Sequence, residues 1–93
     1  MKTKDQIIAW VEESYPDDSV VLFDGLEGAF LGVAYQQYKG PVAVYDRAVC
    51  IEILVEMFKD EEDPQESAEE YFQYNTEGAW VGENTPLIID QCL

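Results

Sequence analysis

AFLGVAYQQYKGPVAVYD, residues 29–46, is the stretch that decides the fold. Leu31, Val33 and Tyr35 alternate with Gly32, Ala34 and Gln36, the two-residue period of a half-buried strand. Lys39-Gly40 supplies a tight turn, and Pro41 to Tyr45 is a second short apolar run. Proline is tolerated at the start of a strand, where pairing has barely begun. The stretch predicts a β-hairpin, Ala29 to Tyr38 against Pro41 to Tyr45. Asp46 has the side chain of a helix N-cap, so the hairpin leads straight into a helix.

That helix should span about Arg47 to Lys59. Val49, Cys50, Ile53, Leu54 and Met57 form its apolar stripe, widened by Ile51 and Phe58, while Glu52, Glu56 and Lys59 lie outside. Asp60-Glu61-Glu62 is a charged link. Asp63, Pro64 and Glu66 then supply an N-cap, a first-turn proline and a capping-box acid. The spacing predicts a helix over about Pro64 to Asn75, with Ala68, Tyr71, Phe72 and Asn75 sharing a face and Gly78 beyond its end. Leu87-Ile88-Ile89 is short and apolar enough for a last strand.

Toward the N-terminus, Asp24-Gly25 signals a turn, and Ser19 to Phe23 reads as another short strand. Thr3 and Gln6 have capping-box spacing, and Ile7, Ile8, Val11 and Tyr15 recur at helical intervals with Trp10 at their edge. Pro16 closes that helix, giving about Lys4 to Tyr15. The expected fold is α+β: one domain over residues 1–93, with a small, mostly antiparallel sheet of three to four strands against about three helices.

Composition sets the chemistry. Twenty acidic residues stand against five basic ones in 93, a formal charge of −15, yet 47% of the chain is hydrophobic. Six Tyr, four Phe and two Trp suffice for a core, which an acidic disordered tail would lack. The first 45 residues carry a net −4 and the last 48 a net −11, so charge gathers on the helix pair and its link. Such a surface repels nucleic acid and anionic membrane and attracts basic surfaces. The N-terminal residues lack a signal-peptide apolar region, and no apolar run approaches the roughly 20 residues that span a bilayer. Cys50 and Cys92 are too few for a disulfide framework and read as free thiols in a reducing cytosol. The expected location is the cytoplasm.

Catalytic and cofactor motifs are missing. The chain contains no histidine, which removes the commonest general base and the His-dependent nucleophile and zinc systems. Gly25, Gly28 and Gly32 have neither dinucleotide nor phosphate-loop spacing. Asp60-Glu61-Glu62-Asp63 fails the calcium-loop template, because Pro64 and Gln65 occupy its middle. A glycosidase pair would need a sugar cleft that a domain this small rarely has. The expectation is a protein with no cofactor, no metal and no enzymatic role.

Tyr71, Phe72, Tyr74 and Trp80 could stack on bases, but the negative field opposes a direct nucleic-acid ligand. Tyr71 and Phe72 are expected in the core. Tyr74 and Trp80 are candidate surface anchors, since such rings dominate interface hot spots. Asn75 reads first as a structural residue; bonding the irregular backbone that follows it is its alternative role.

Several segments carry a resemblance. They are Tyr45-Asp46, Cys50-Ile51-Glu52-Ile53-Leu54, Glu69-Glu70-Tyr71-Phe72-Gln73-Tyr74-Asn75, and the run from Gly78 through Trp80 and Gly82 to Pro86. Through them about half the chain, mostly its second half, resembles a group of small acidic phage and bacterial proteins of uncharacterised function. The resemblance implies a phage or mobile-element setting and transfers no catalytic residue.

Three functions compete. The first is an acidic binding protein whose carboxylates stand in for phosphates on a basic, nucleic-acid-binding surface of a partner such as a host nuclease or polymerase. Its candidate contacts are Glu52, Glu56, Asp60, Glu61, Glu62, Asp63, Glu66, Glu69 and Glu70, with Tyr74 and Trp80. Phage inhibitors of host defence include proteins of this charge type, an analogy of charge alone. The second is a homo-oligomeric assembly protein, paired through Ser19 to Phe23 or Leu87 to Ile89. The third is a small-ligand binder or minor enzyme, with a pocket near Tyr35, Tyr45 and Trp80 and Cys50 or a carboxylate as its reactive group.

Overall fold

A computed structural model of the chain describes residues 3–35, 40–77, 82 and 84–92. In chain order they form α1 (Lys4–Ser14), β1 (Phe30–Tyr35), β2 (Pro41–Asp46), α2 (Arg47–Met57), α3 (Pro64–Phe72) and β3 (Leu87–Ile89). A 3-10 turn, Glu27–Ala29, precedes β1, and a π-helical turn, Gln73–Glu77, follows α3. The class is α+β, as the sequence predicts.

β2 is the middle strand of three. β1 lies antiparallel to it, with Tyr35 opposite Pro41 and Phe30 opposite Tyr45. β3 lies parallel on the other side, with Val44 opposite Leu87 and Asp46 opposite Ile89. The sheet is therefore mixed, its longer pairing antiparallel. The parallel pair follows from the connection: the helical segment between β2 and β3 carries the chain back, which a tight hairpin cannot do. The turn expected at Lys39-Gly40 lies, apart from Gly40, outside the described residues.

Two strand expectations need correction. The alternation through Leu31, Val33 and Tyr35 is interrupted by a β-bulge between Phe30 and Gly32, which leaves Leu31 without a partner on β2. Gly32 sits at φ 151°, a backbone angle that L side chains rarely adopt. Ser19 to Phe23 is not a strand. Phe23 donates its backbone N–H to the phenol oxygen of Tyr45, not to a sheet ladder, and Val20, Leu22 and Phe23 pack sideways onto the core.

The helix caps form as their residues predict. Gln6 donates its backbone N–H to Thr3 Oγ1 at 3.2 Å, and Thr3 donates its own to Gln6 Oε1 at 2.9 Å. Asp46 caps α2 by accepting from the backbone of Val49, and Asp63 caps α3 by accepting from that of Glu66. α2 stops at Met57, short of Lys59, where Phe58 closes it by donating its N–H to the Leu54 carbonyl. α3 is α-helical to Phe72 and then widens into the π turn.

The core lies between the sheet and the α2–α3 pair. Ala43 and Tyr45 of β2 meet Cys50, Ile51 and Leu54 of α2, Ala68 and Phe72 of α3, and Leu26 and Ala29 before β1. Val42, on the other face of β2, is also fully buried, as suits a middle strand. α1 buries Ile7 and Val11. Edge contacts hold it in place: the Trp10 and Tyr15 rings lie about 6 Å from those of Phe30 and Tyr35, and Lys4 pairs with Asp24.

Candidate partner-binding surface

The nine candidate carboxylates are all exposed, and seven of them line two depressions. Glu52 of α2 and Glu69 of α3 flank a shallow groove between the two helices, together with Arg47 and Gln65. Glu61, Glu62, Asp63, Glu66 and Glu70 line a second depression, where the link turns into α3. Glu56 pairs instead with Lys59 at 3.4 Å. Asp60 lies exposed in the link, lining neither depression. The caps explain the clustering. Asp63 must sit where α3 begins, and acids gather in a first helical turn because its backbone N–H groups favour negative charge. Between residues 56 and 70 Lys59 is the only base against eight acids, so the field there is strongly negative.

The same two helices and the turn after them also expose apolar side chains. Met57 is 63% exposed and Tyr74 78% exposed. Tyr71 is 42% exposed, its ring 5.5 Å from that of Phe58. Two expectations are corrected here. Met57, placed on the α2 stripe, is that helix's last residue and is mostly exposed. Tyr71 is not in the core, because α3 docks through Ala68 and Phe72 alone and leaves Tyr71 at the edge. The irregular backbone that Asn75 could bond lies, for residues 78–81 and 83, outside the described residues. The Asn75 side-chain amide donates backward to the Tyr71 carbonyl at 3.2 Å. The π turn sends Thr76 inward and Tyr74 out to solvent. Trp80, the other expected anchor, lies outside the described residues.

Between α2 and the π turn is a slot of about 140 Å³, bounded by Leu26, Leu54, Met57, Tyr71, Asn75 and the buried Thr76, with Asp24 exposed at one side. The sequence gives no sign of this slot. Met57 reads as one more stripe residue, and its exposure depends on where α3 crosses α2.

Of the pocket expected near Tyr35, Tyr45 and Trp80, the Trp80 side lies outside the described residues. A cavity of about 230 Å³ between α1 and the irregular segment is lined by Ile7, Ile8, Leu22, Phe23 and Tyr45, with the Lys4–Asp24 pair also lining it. Lys4 holds the Asp24 carboxyl below its usual range, first through their hydrogen bond and then through its charge. A second cavity of about 320 Å³ opens where the bulge meets Trp10. Tyr35 lines neither, being 73% exposed beside Tyr15. Burial pushes the Cys50 thiol up to about 12 and the Tyr45 phenol up to about 12. A thiol so placed stays protonated at neutral pH and is a poor nucleophile. Among the described residues no His, Cys, Asp or Glu group is arranged to hold a metal ion, and no helix is long and apolar enough to cross a membrane.

No protein-family model matches the chain, and neither a curated protein nor a solved structure does.

Proposed function

We propose that the protein is a small, non-enzymatic acidic binding protein, acting in the cytoplasm on a basic, nucleic-acid-binding surface of a partner protein. The phage or mobile-element setting implied by the resemblance fits a role against a host nuclease or polymerase, such as inhibition of a host defence. One observation carries the reading. Exposed carboxylates from two packed helices and their link lie on a chain that also exposes Met57, Tyr71 and Tyr74 from the same helices and the turn after them, so charge and apolar anchors are both offered. Fixed Glu and Asp side chains can take the place of phosphates on lysines and arginines that otherwise release counterions from nucleic acid. Aromatic and Met side chains then supply the short-range energy that charge alone does not.

Affinity capture from host lysate tests this. Proteins retained at low salt are expected to be released by high salt and by added duplex DNA. They should not be retained by a variant carrying Glu61→Gln, Glu62→Gln, Glu66→Gln and Glu70→Gln. Equal retention by both forms rejects the reading.

A second reading, homo-oligomeric assembly, has one observation in its favour. β3 is an edge strand with Leu87 and Ile89 more than a third exposed, a template for pairing across a two-fold axis. Light scattering distinguishes the two, because the binding reading expects a monomer when no partner is present.

A further inference from the structure

We infer that the slot between α2 and the π turn is the anchor site of the interface, and that it receives one apolar side chain not branched at Cβ, Leu or Met, from a Lys/Arg-rich segment of the partner. The inference rests on the acidic-binding reading and adds the point at which the partner is held. The slot's volume of about 140 Å³ suits one aliphatic side chain, not a drug-sized molecule, whose pockets start at about 300 Å³. Its walls are apolar at Leu26, Leu54, Met57 and Tyr71. Met57 adapts its shape to the guest through its flexible thioether chain.

Charge complementarity identifies the occupant. Asp24 beside the slot already pairs with Lys4, but Glu70 precedes Tyr71 in the chain, and the acidic link begins two residues after Phe58, on which the Tyr71 ring rests. An apolar side chain flanked by cations can seat in the slot while its neighbours reach those carboxylates. One flanked by acids is repelled. A second copy of this chain is a poor occupant, because its own exposed apolar residues here bring the same acidic surroundings.

The test uses the intact protein and two short acetylated peptides of lysine and arginine, one with leucine at the centre and one with serine there. Binding is followed by fluorescence anisotropy at low salt, and the Met57 methyl resonance by NMR. The leucine peptide is expected to bind about tenfold more tightly and to be the one that shifts the Met57 methyl. Met57→Ser, a change at an exposed position, is expected to erase that preference. Equal affinity of the two peptides overturns the slot and leaves the acidic reading standing. Failure of both peptides to bind defeats the acidic reading, and the slot with it. Self-association of the free protein that Met57→Ser abolishes would assign the slot to a second copy and overturn the inference.

Discussion

The backbone N–H of Phe23 donates to the phenol oxygen of Tyr45 at 2.8 Å, across 22 positions of sequence. This bond ties the irregular segment after α1 to the middle strand. It also explains why an apolar run there stays out of the sheet. Tyr45 is 1% exposed, and its ring packs 5.1 Å from that of Phe23. Replacing it with phenylalanine keeps that packing and removes only the acceptor. Tyr45→Phe is expected to destabilise by about 0.5–1.5 kcal/mol, the net worth of a hydrogen bond whose N–H is part-buried. Urea denaturation measures this. A loss under about 0.3 kcal/mol would mean that Phe23 finds another partner.

Asp46 joins two distant parts of the chain. One carboxylate oxygen caps α2 through Val49, and the other accepts from the side-chain amide of Gln91 at 2.6 Å. Asp46→Ala is expected to cost about 1–2 kcal/mol, the usual worth of an N-cap with its added hydrogen bond. Gln91→Ala should cost less, about 0.5–1 kcal/mol. If both act through the one carboxylate, the double variant loses little more than Asp46→Ala alone. Fully additive losses would show that Gln91 acts elsewhere.

These two bonds also mark the limit of what the sequence discloses. Thr3 with Gln6, Asp46 with Val49, and Asp63 with Glu66 are local pairs, so their helices can be read from spacing alone. β1, β2 and β3 were legible as apolar runs for the same reason. The parallel pairing of β3 was not, because it depends on the path of the helices between the strands. Nor was the irregular state of Ser19 to Phe23, whose partner lies on another element. The acids of the site were plain in the composition, but their division into two depressions follows from how α3 packs on α2. The slot beside Met57 depends on that same crossing and on the π turn, neither of which has a local signature.

Cys50 and Tyr45 make stability depend on alkaline pH. Burial raises the thiol from an ordinary value near 9 to about 12, and the phenol from near 10 to about 12. Below pH 8 both groups are protonated whether the chain is folded or not, and their stabilising contribution is fully present. Between about pH 9 and 12 the unfolded chain releases these protons while the folded chain keeps them. The equilibrium therefore moves toward unfolding as pH rises. The urea midpoint is expected to fall from pH 8 to pH 10.5, and to fall less steeply in Cys50→Ala. Identical slopes in the two proteins would show that Cys50 ionises equally in both states. At pH 7.5 a thiol reagent should label exposed Cys92 rapidly and Cys50 only on unfolding.

Added salt should stabilise the protein, although two opposing effects respond to it. The exposed pairs Lys4–Asp24 and Lys59–Glu56 weaken as ions screen them. Repulsion among 20 carboxylates weakens too, and with only five bases present it is the larger effect. The screening length falls from about 30 Å at 0.01 M to about 8 Å at 0.15 M, so repulsion between acids far apart on the surface is largely lost. A gain of about 1 kcal/mol is expected over that range, or roughly 4–8 °C in Tm for a domain this size. Choline chloride should match sodium chloride, since screening does not depend on which cation is used. The variant with Glu61, Glu62, Glu66 and Glu70 changed to glutamine should start from a higher Tm and gain less. A Tm that falls as salt is added would mean that the ion pairs outweigh the repulsion, and that the carboxylates are not held together on an ordered surface.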